Sequence, residues 1–174
     1  MSAPLIRAES PADFDRIRAI YTEAFPDGRE ASVVDQLRRS GRGYAGFVAE
    51  MGGEIAGHVV LTQVDLATRR GGDARGIGMA PLAVAPKFRR HGVGGALVRH
   101  SIEEAKRRRE DFVVVLGDPE YYARFGFRKG APTLRWRSES YDPYFMVYPI
   151  REEILAELEA MITYHPAIET LDKR

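Results

Sequence analysis

Near the N-terminus apolar side chains return every three or four positions. Phe14, Ile17, Ile20, Tyr21 and Ala24 share one face of a helix. It opens after Ser10-Pro11-Ala12-Asp13, a capped start with proline in the first turn, and stops near Pro26-Asp27-Gly28. A second helix carries Val33, Val34 and Leu37 until Ser40-Gly41-Arg42-Gly43 breaks it. A short strand over residues 5–8 precedes both. From residue 44 the alternation becomes strand-like: residues 44–50, a turn at Met51-Gly52-Gly53, then a longer strand over 54–66 with Ile55, His58, Val59, Val60 and Val64. Residues 68–73 form a polar hairpin loop, and 74–84 supply a central strand. Pro81 within it has no N–H for a ladder, which implies an edge or a bulge.

The second half repeats the mixture. Ala96, Leu97, Ser101, Ile102 and Ala105 lie on one face of a long helix, and Phe112-Val113-Val114-Val115-Leu116 is a buried strand by composition. Gly117-Asp118-Pro119 turns into a short helix over 120–124, closed by Gly126-Phe127. Two further strands follow at 131–136 and 144–148, and a final amphipathic helix over 151–161 uses Ile154, Leu155, Leu158 and Met161. No repeat, low-complexity segment or long linker interrupts the chain, so one domain over residues 1–174 is expected, of the α+β class.

Composition narrows the classes. Of 174 residues, 44% are hydrophobic and 29% charged, and the net charge of +1 gives no general reason to expect a nucleic-acid partner. Lys106 to Arg109 is a basic run at a helix end, where the dipole favours cations and solvent receives them. The absence of cysteine removes disulfides, thiolate metal sites and cysteine nucleophiles together, and the four histidines lack metal-ligand spacing. No stretch is long and apolar enough for a membrane helix or a signal-peptide core, which makes the cytoplasm the default location.

The chemistry concentrates between Pro81 and Arg109. A Leu82-Ala83-Val84 strand end passes Pro86 to Arg89-Arg90-His91-Gly92-Val93-Gly94-Gly95, and the long helix follows. Strand, glycine loop and helix N-terminus make an anion site, because the first helical N–H groups lack partners and carry the positive end of the dipole. Arg89, Gly92 and Gly94 fill Arg-x-x-Gly-x-Gly, and a Tyr-x-x-x-Gly-Phe segment runs from Tyr122 to Phe127. Together these resemble the acetyl-CoA signatures of the GNAT superfamily of N-acetyltransferases, across residues 76–127. The run from Leu116 to Phe127 is similar to a bacterial subgroup whose acceptors are mostly undefined.

The resemblance implies a three-layer α/β sandwich, with a mixed, mostly antiparallel sheet flanked by helices and a bulge on the strand that holds Pro81. It implies acetyl-CoA as donor and a small-molecule or peptide amine as acceptor. Leu82, Ala83 and Val84 would offer backbone groups to the pantetheine arm and polarise the thioester. Arg90, His91, Gly92, Val93, Gly94 and Gly95 would hold the pyrophosphate, with Arg89 at the rim and Ala96 at the helix start. Tyr122 is the candidate general acid for the leaving thiolate, and Tyr121 its register alternative. No metal is implied.

Several positions keep two readings. Asp118, Glu120 and Glu23 are candidate bases or surface carboxylates; His91 belongs to the loop, and His58 is a core or sheet-face histidine. Arg29 and Glu30 are acceptor contacts or a solvated helix start. Trp136, Tyr141, Tyr144 and Phe145 are core or acceptor-pocket aromatics. A dinucleotide-binding enzyme is disfavoured because Leu97 stands where Gly-x-Gly-x-x-Gly needs its third glycine. A non-catalytic acyl-CoA sensor of the same fold stays open, as does oligomeric state, a homodimer included.

Overall fold

The computed structural model describes residues 3–130, 133–137 and 139–172. In chain order the elements are β1 (Leu5–Ala8), α1 (Phe14–Ala24), α2 (Arg29–Ser40), β2 (Ala45–Met51), β3 (Glu54–Gln63), β4 (Asp65–Arg70), β5 (Gly76–Val84) and α3 (Val93–Arg107). Then come β6 (Phe112–Leu116), α4 (Pro119–Ala123), β7 (Arg128–Lys129), β8 (Leu134–Trp136), β9 (Phe145–Pro149), α5 (Glu152–Glu157), β10 (Glu159–Thr163) and α6 (Pro166–Glu169). The main sheet has seven strands in the order β1-β2-β3-β5-β6-β9-β7, and β4, β10 and β8 form a second, three-stranded sheet. Every pair in the main sheet is antiparallel except β5 with β6.

Alternation along the strands builds two cores. Val48, Val60, Val114 and Val147 face α1 and α2, meeting Ile17, Ile20, Tyr21, Val34 and Leu37. Their neighbours Ala49, Val59, Leu61, Val113 and Val115 face α3, meeting Val93, Leu97, Val98 and Ile102. Leu37 and Leu97 are fully buried, each worth about 1.5–3 kcal/mol relative to exposure. The second sheet adds Leu134, Trp136, Ile162 and Tyr164 to the first core. Helices thus cover both faces of the sheet, in an α+β arrangement.

The bulge expected at Pro81 is present. The β3–β5 register shifts between Val59↔Leu82 and Leu61↔Met79, so Val60 alone opposes Ala80 and Pro81. The extra residue absorbs the missing proline N–H.

Three elements differ from expectation. The strand expected over 54–66 ends at Gln63, and Asp65–Arg70 starts the second sheet, so Thr68 and Arg70 are ladder residues with Arg69 at a bulge between them, and not a hairpin loop. The helix expected over 151–161 stops at Glu157, and β10 follows. Leu158, Ala160, Ile162 and Tyr164 are buried while Met161 is 44% exposed, so a period of two overlaps the helical spacing of Ile154, Leu155 and Leu158 and prevails. A strand is found within 131–136, at Leu134–Trp136; Ala131 and Pro132 lie outside the described residues.

Candidate active site at a splayed strand pair

β5 and β6 pair only through Gly76↔Phe112, Ile77↔Val113 and Gly78↔Val114. Beyond Gly78 the bulge turns β5 away, and the stretch from Met79 to Val84 has no β6 partner. The Ala85 N–H bonds the Ala56 oxygen at 2.9 Å, so Ala85 faces β3. Antiparallel alternation then directs the backbone groups of Val84 and Leu82 away from β3, onto the unpaired edge, while Ala83 faces His58 in the ladder. Two of the three strand residues therefore offer free backbone groups.

The edge leads into the glycine loop. After a 3₁₀ turn (Pro86–Phe88), Arg90 and Gly92 both lie in the left-handed region, at φ 64° and 81°, an alternation that turns successive N–H groups toward one side. Gly92 caps α3, and the first helical bond runs from the Ala96 N–H to the Gly92 oxygen at 2.9 Å. The N–H groups of Val93, Gly94 and Gly95 have no acceptor among the described residues. They open on a cleft of about 630 Å³ lined also by Val84, Arg89, Arg90, Arg99, Tyr121 and Arg124. Four arginines and no carboxylate line it, so its field favours an anion.

Two tyrosines border this region differently. Tyr121 reaches over the loop: a methyl group at Gly94 would lie 2.8 Å from its hydroxyl, and Arg124 stacks on its ring at 4.5 Å. Tyr122 turns the other way. Its ring packs edge-on to Phe127 with centroids 5.5 Å apart and covers Gly117, where any side chain would collide with it at 2.3 Å. It borders the same apolar cluster as Leu82 and Val84. Burial pushes the Tyr122 phenol well above its ordinary range, with Tyr121 adding to it, so the hydroxyl keeps its proton.

Beneath the bulge, on the α1 face, lies a polar cluster that sequence reasoning missed. Glu9 receives the Arg38 guanidinium at 2.8 and 3.0 Å, the Tyr44 hydroxyl at 2.7 Å and His58 Nε2 at 2.9 Å. His58 Nδ1 meets the Tyr21 hydroxyl at 3.0 Å, and that hydroxyl donates to the Pro81 oxygen at 2.9 Å. His58 and Tyr21 are fully buried. Burial drives Glu9 upward, but its hydrogen bonds from Arg38, His58 and Tyr44 outweigh that and hold the carboxyl at about 2. Burial lowers His58, which is therefore neutral at pH 7. No sequence motif marks this cluster, because its members come from five separate stretches.

The other candidates are occupied. Glu23 pairs with Arg16, Asp118 accepts from the Glu120 N–H as a helix cap, and Arg29 donates to the Thr170 oxygen. Glu30 is buried in α2, not at a solvated helix start. Trp136 and Phe145 are core residues at 3% exposure, Tyr141 packs against the first core, and Tyr144 alone of the four is exposed. No group of three or more His, Asp or Glu able to hold a metal exists among the described residues.

Comparison with known proteins decides the family. A family model described as an acetyltransferase (GNAT) domain matches residues 5–130. The chain belongs to the GNAT acetyltransferase family. It is 35% identical over 163 residues to the N-acetyltransferase YhbS of Escherichia coli K12, covering 92% of this chain and 96% of that one. The crystal structure of E. coli YhbS in complex with CoA superposes with a TM-score of 0.87 at 34% identity, covering 95% of this chain and 92% of that chain. A GNAT acetyltransferase from Brucella melitensis in complex with acetyl-CoA gives 0.75 at 28% identity, covering 95% and 98%.

Of the residues the GNAT signatures singled out, Val84, Arg89, Arg90, Gly92, Val93, Gly94 and Gly95 line the one cleft, whereas Leu82, Ala83, His91, Ala96 and Tyr122 do not. Phe88, Arg99, Arg124 and Phe125 line it without having been foreseen. Arg99 carried a usable signal: it follows Gly95 by four residues, one turn along the same helix face.

Proposed function

We propose that this GNAT protein transfers an acetyl group from acetyl-CoA to a primary amine by direct attack on the thioester. The observation that supports it is the continuity of the unpaired β5 edge with the arginine-lined cleft: an edge suited to an amide-bearing arm runs into a cleft suited to a diphosphate. Gly92, Val93, Gly94 and Gly95 would hold the diphosphate through main-chain N–H groups, with Arg89, Arg90, Arg99 and Arg124 neutralising charge. The Leu82 N–H would donate to the developing oxyanion, and Val84 would bond the arm. In the reaction the amine nitrogen bonds the acyl carbon, the carbon–sulfur bond breaks, the thiolate takes the Tyr122 proton, the nitrogen gives its surplus proton to solvent, and Tyr122 is reprotonated from solvent. Tyr121, poised over Gly94, belongs to the phosphate end.

The carboxylates of Glu23 and Asp118 are tied to other groups and His58 is buried, so deprotonation of the amine is assigned to no side chain. Binding energy and alignment carry the rate, with one oxyanion donor worth about 10²–10³ in kcat. Acetyl-CoA titrated against the chain, followed by an acceptor panel of polyamines, amino acids, aminoglycosides and peptide N-termini, tests this. Transfer to any amine supports it; tight binding with no transfer across the panel favours an acyl-CoA sensor.

A further inference from the structure

The geometry points to Tyr21 as a positioning residue for the oxyanion donor: its hydroxyl, anchored by His58 and Glu9, fixes the Pro81–Leu82 peptide so that the Leu82 N–H projects onto the open β5 edge. This rests on the donor assignment above and adds the device that aims it.

Tyr21 donates to the Pro81 oxygen at 2.9 Å from the α1 side. Among the described residues only Ala80–Pro81 is a cis peptide, so Pro81–Leu82 is trans, and a planar trans unit carries its C=O and N–H on opposite sides. Holding the oxygen toward Tyr21 therefore holds the Leu82 N–H away from it. The ladder register gives the same direction independently, since Leu82 is two residues before Val84 on the edge facing away from β3. A bulge loosens the ladder at this point, and Pro81 has no N–H to anchor it from β3. Tyr21 replaces that anchor.

The hydroxyl itself is held. Glu9 is ionised and accepts from His58 Nε2 at 2.9 Å, which places the neutral imidazole proton there and leaves Nδ1 as an acceptor 3.0 Å from Tyr21. The hydroxyl shares its one proton in a three-centre hydrogen bond, 2.9 Å from the Pro81 oxygen and 3.0 Å from Nδ1, and burial keeps that proton on the phenol. Donation into a peptide carbonyl also polarises the unit and strengthens its N–H as a donor. Tyr21 is fully buried and touches no substrate, so its effect passes entirely through Leu82.

The test reads the thioester directly and needs no acceptor. Acetyl-CoA labelled with ¹³C at its carbonyl is bound to the wild-type chain and to Tyr21→Phe, and the carbonyl stretch is recorded by difference infrared spectroscopy beside calorimetric affinities. The wild type lowers the stretch relative to free acetyl-CoA. Tyr21→Phe loses most of that shift while its affinity stays within about threefold. An unshifted carbonyl in the bound wild type, or an undiminished shift in Tyr21→Phe, overturns the assignment and leaves acetyl-CoA binding standing. Wild-type protein that does not bind acetyl-CoA brings down the proposed donor and this inference with it. Should Tyr21→Phe not fold, 3,5-difluorotyrosine installed at position 21 decides: it keeps the ring and hydroxyl but makes the hydroxyl a stronger donor, and a bound carbonyl with the unaltered wild-type shift overturns the proposal.

Discussion

Burial holds the proton on the Tyr122 phenol, so the acid form is present when the thiolate leaves, and transfer depends on the thiolate's charge developing beside the hydroxyl. Because its pKa is raised, the acid form persists through neutral and moderately alkaline pH, and the rate profile should show no loss assignable to Tyr122 below the ordinary phenol range. Tyr122→Phe should lower kcat by about 10²-fold with acetyl-CoA affinity unchanged, measured by steady-state kinetics beside calorimetry. Unchanged kcat would remove its role. Glu9 titrates in the opposite sense. Its carboxyl lies at about 2 in the fold against an ordinary 4.5, so its stabilisation is complete above pH 4.5 and disappears as pH falls toward 2. Urea unfolding at stepped pH should show that loss, and Glu9→Gln should flatten it. Glu9→Ala should cost about 1–3 kcal/mol, because the Tyr44 hydroxyl and the fully buried His58 Nε2–H lose their acceptor while Arg38 keeps Asp35.

At the scale of elements the site is a strand edge joined to a helix start. Gly94→Val should weaken acetyl-CoA binding by about tenfold or more, since β-branched bulk would enter the cleft where Tyr121 already approaches. The melting temperature of the free chain should stay within about 2 °C, because the group in the way is the end of a side chain. The alanine pair at Arg99 and Arg124 should also weaken binding and reduce its salt dependence. This junction was legible in sequence because each part has a local cause: glycines where N–H groups must be bare, proline where the ladder must bulge. Arg124 and Phe125 were not foreseen, because α4 meets the loop only through tertiary packing. β10 was missed for a different reason: its apolar spacing satisfies two periods, and the choice between them was made by the first core, which Ile162 and Tyr164 complete. β4 was missed because it is polar and mostly exposed, so its side chains match a loop as well as a strand.

The whole molecule is one sheet covered by helices on both faces, with the second sheet closing over the first core. The fold class could be read from the order of strands and helices; the Glu9–His58–Tyr21 cluster could not, since residues far apart in sequence meet only after β2, β3 and α1 pack. Trp136→Ala should destabilise the chain by about 3–5 kcal/mol without altering acetyl-CoA affinity, because the ring is packed against Phe145 and Tyr164 and is not an acceptor wall. Chemical denaturation and calorimetry would show the two effects apart. One titration tests the diphosphate site most directly: CoA against pantetheine, which has the same arm but lacks the diphosphate together with its adenosine. Main-chain amides at Gly92 to Gly95 predict that CoA binds about 100-fold or more tightly than pantetheine. Equal affinities, or no heat with CoA, would contradict it.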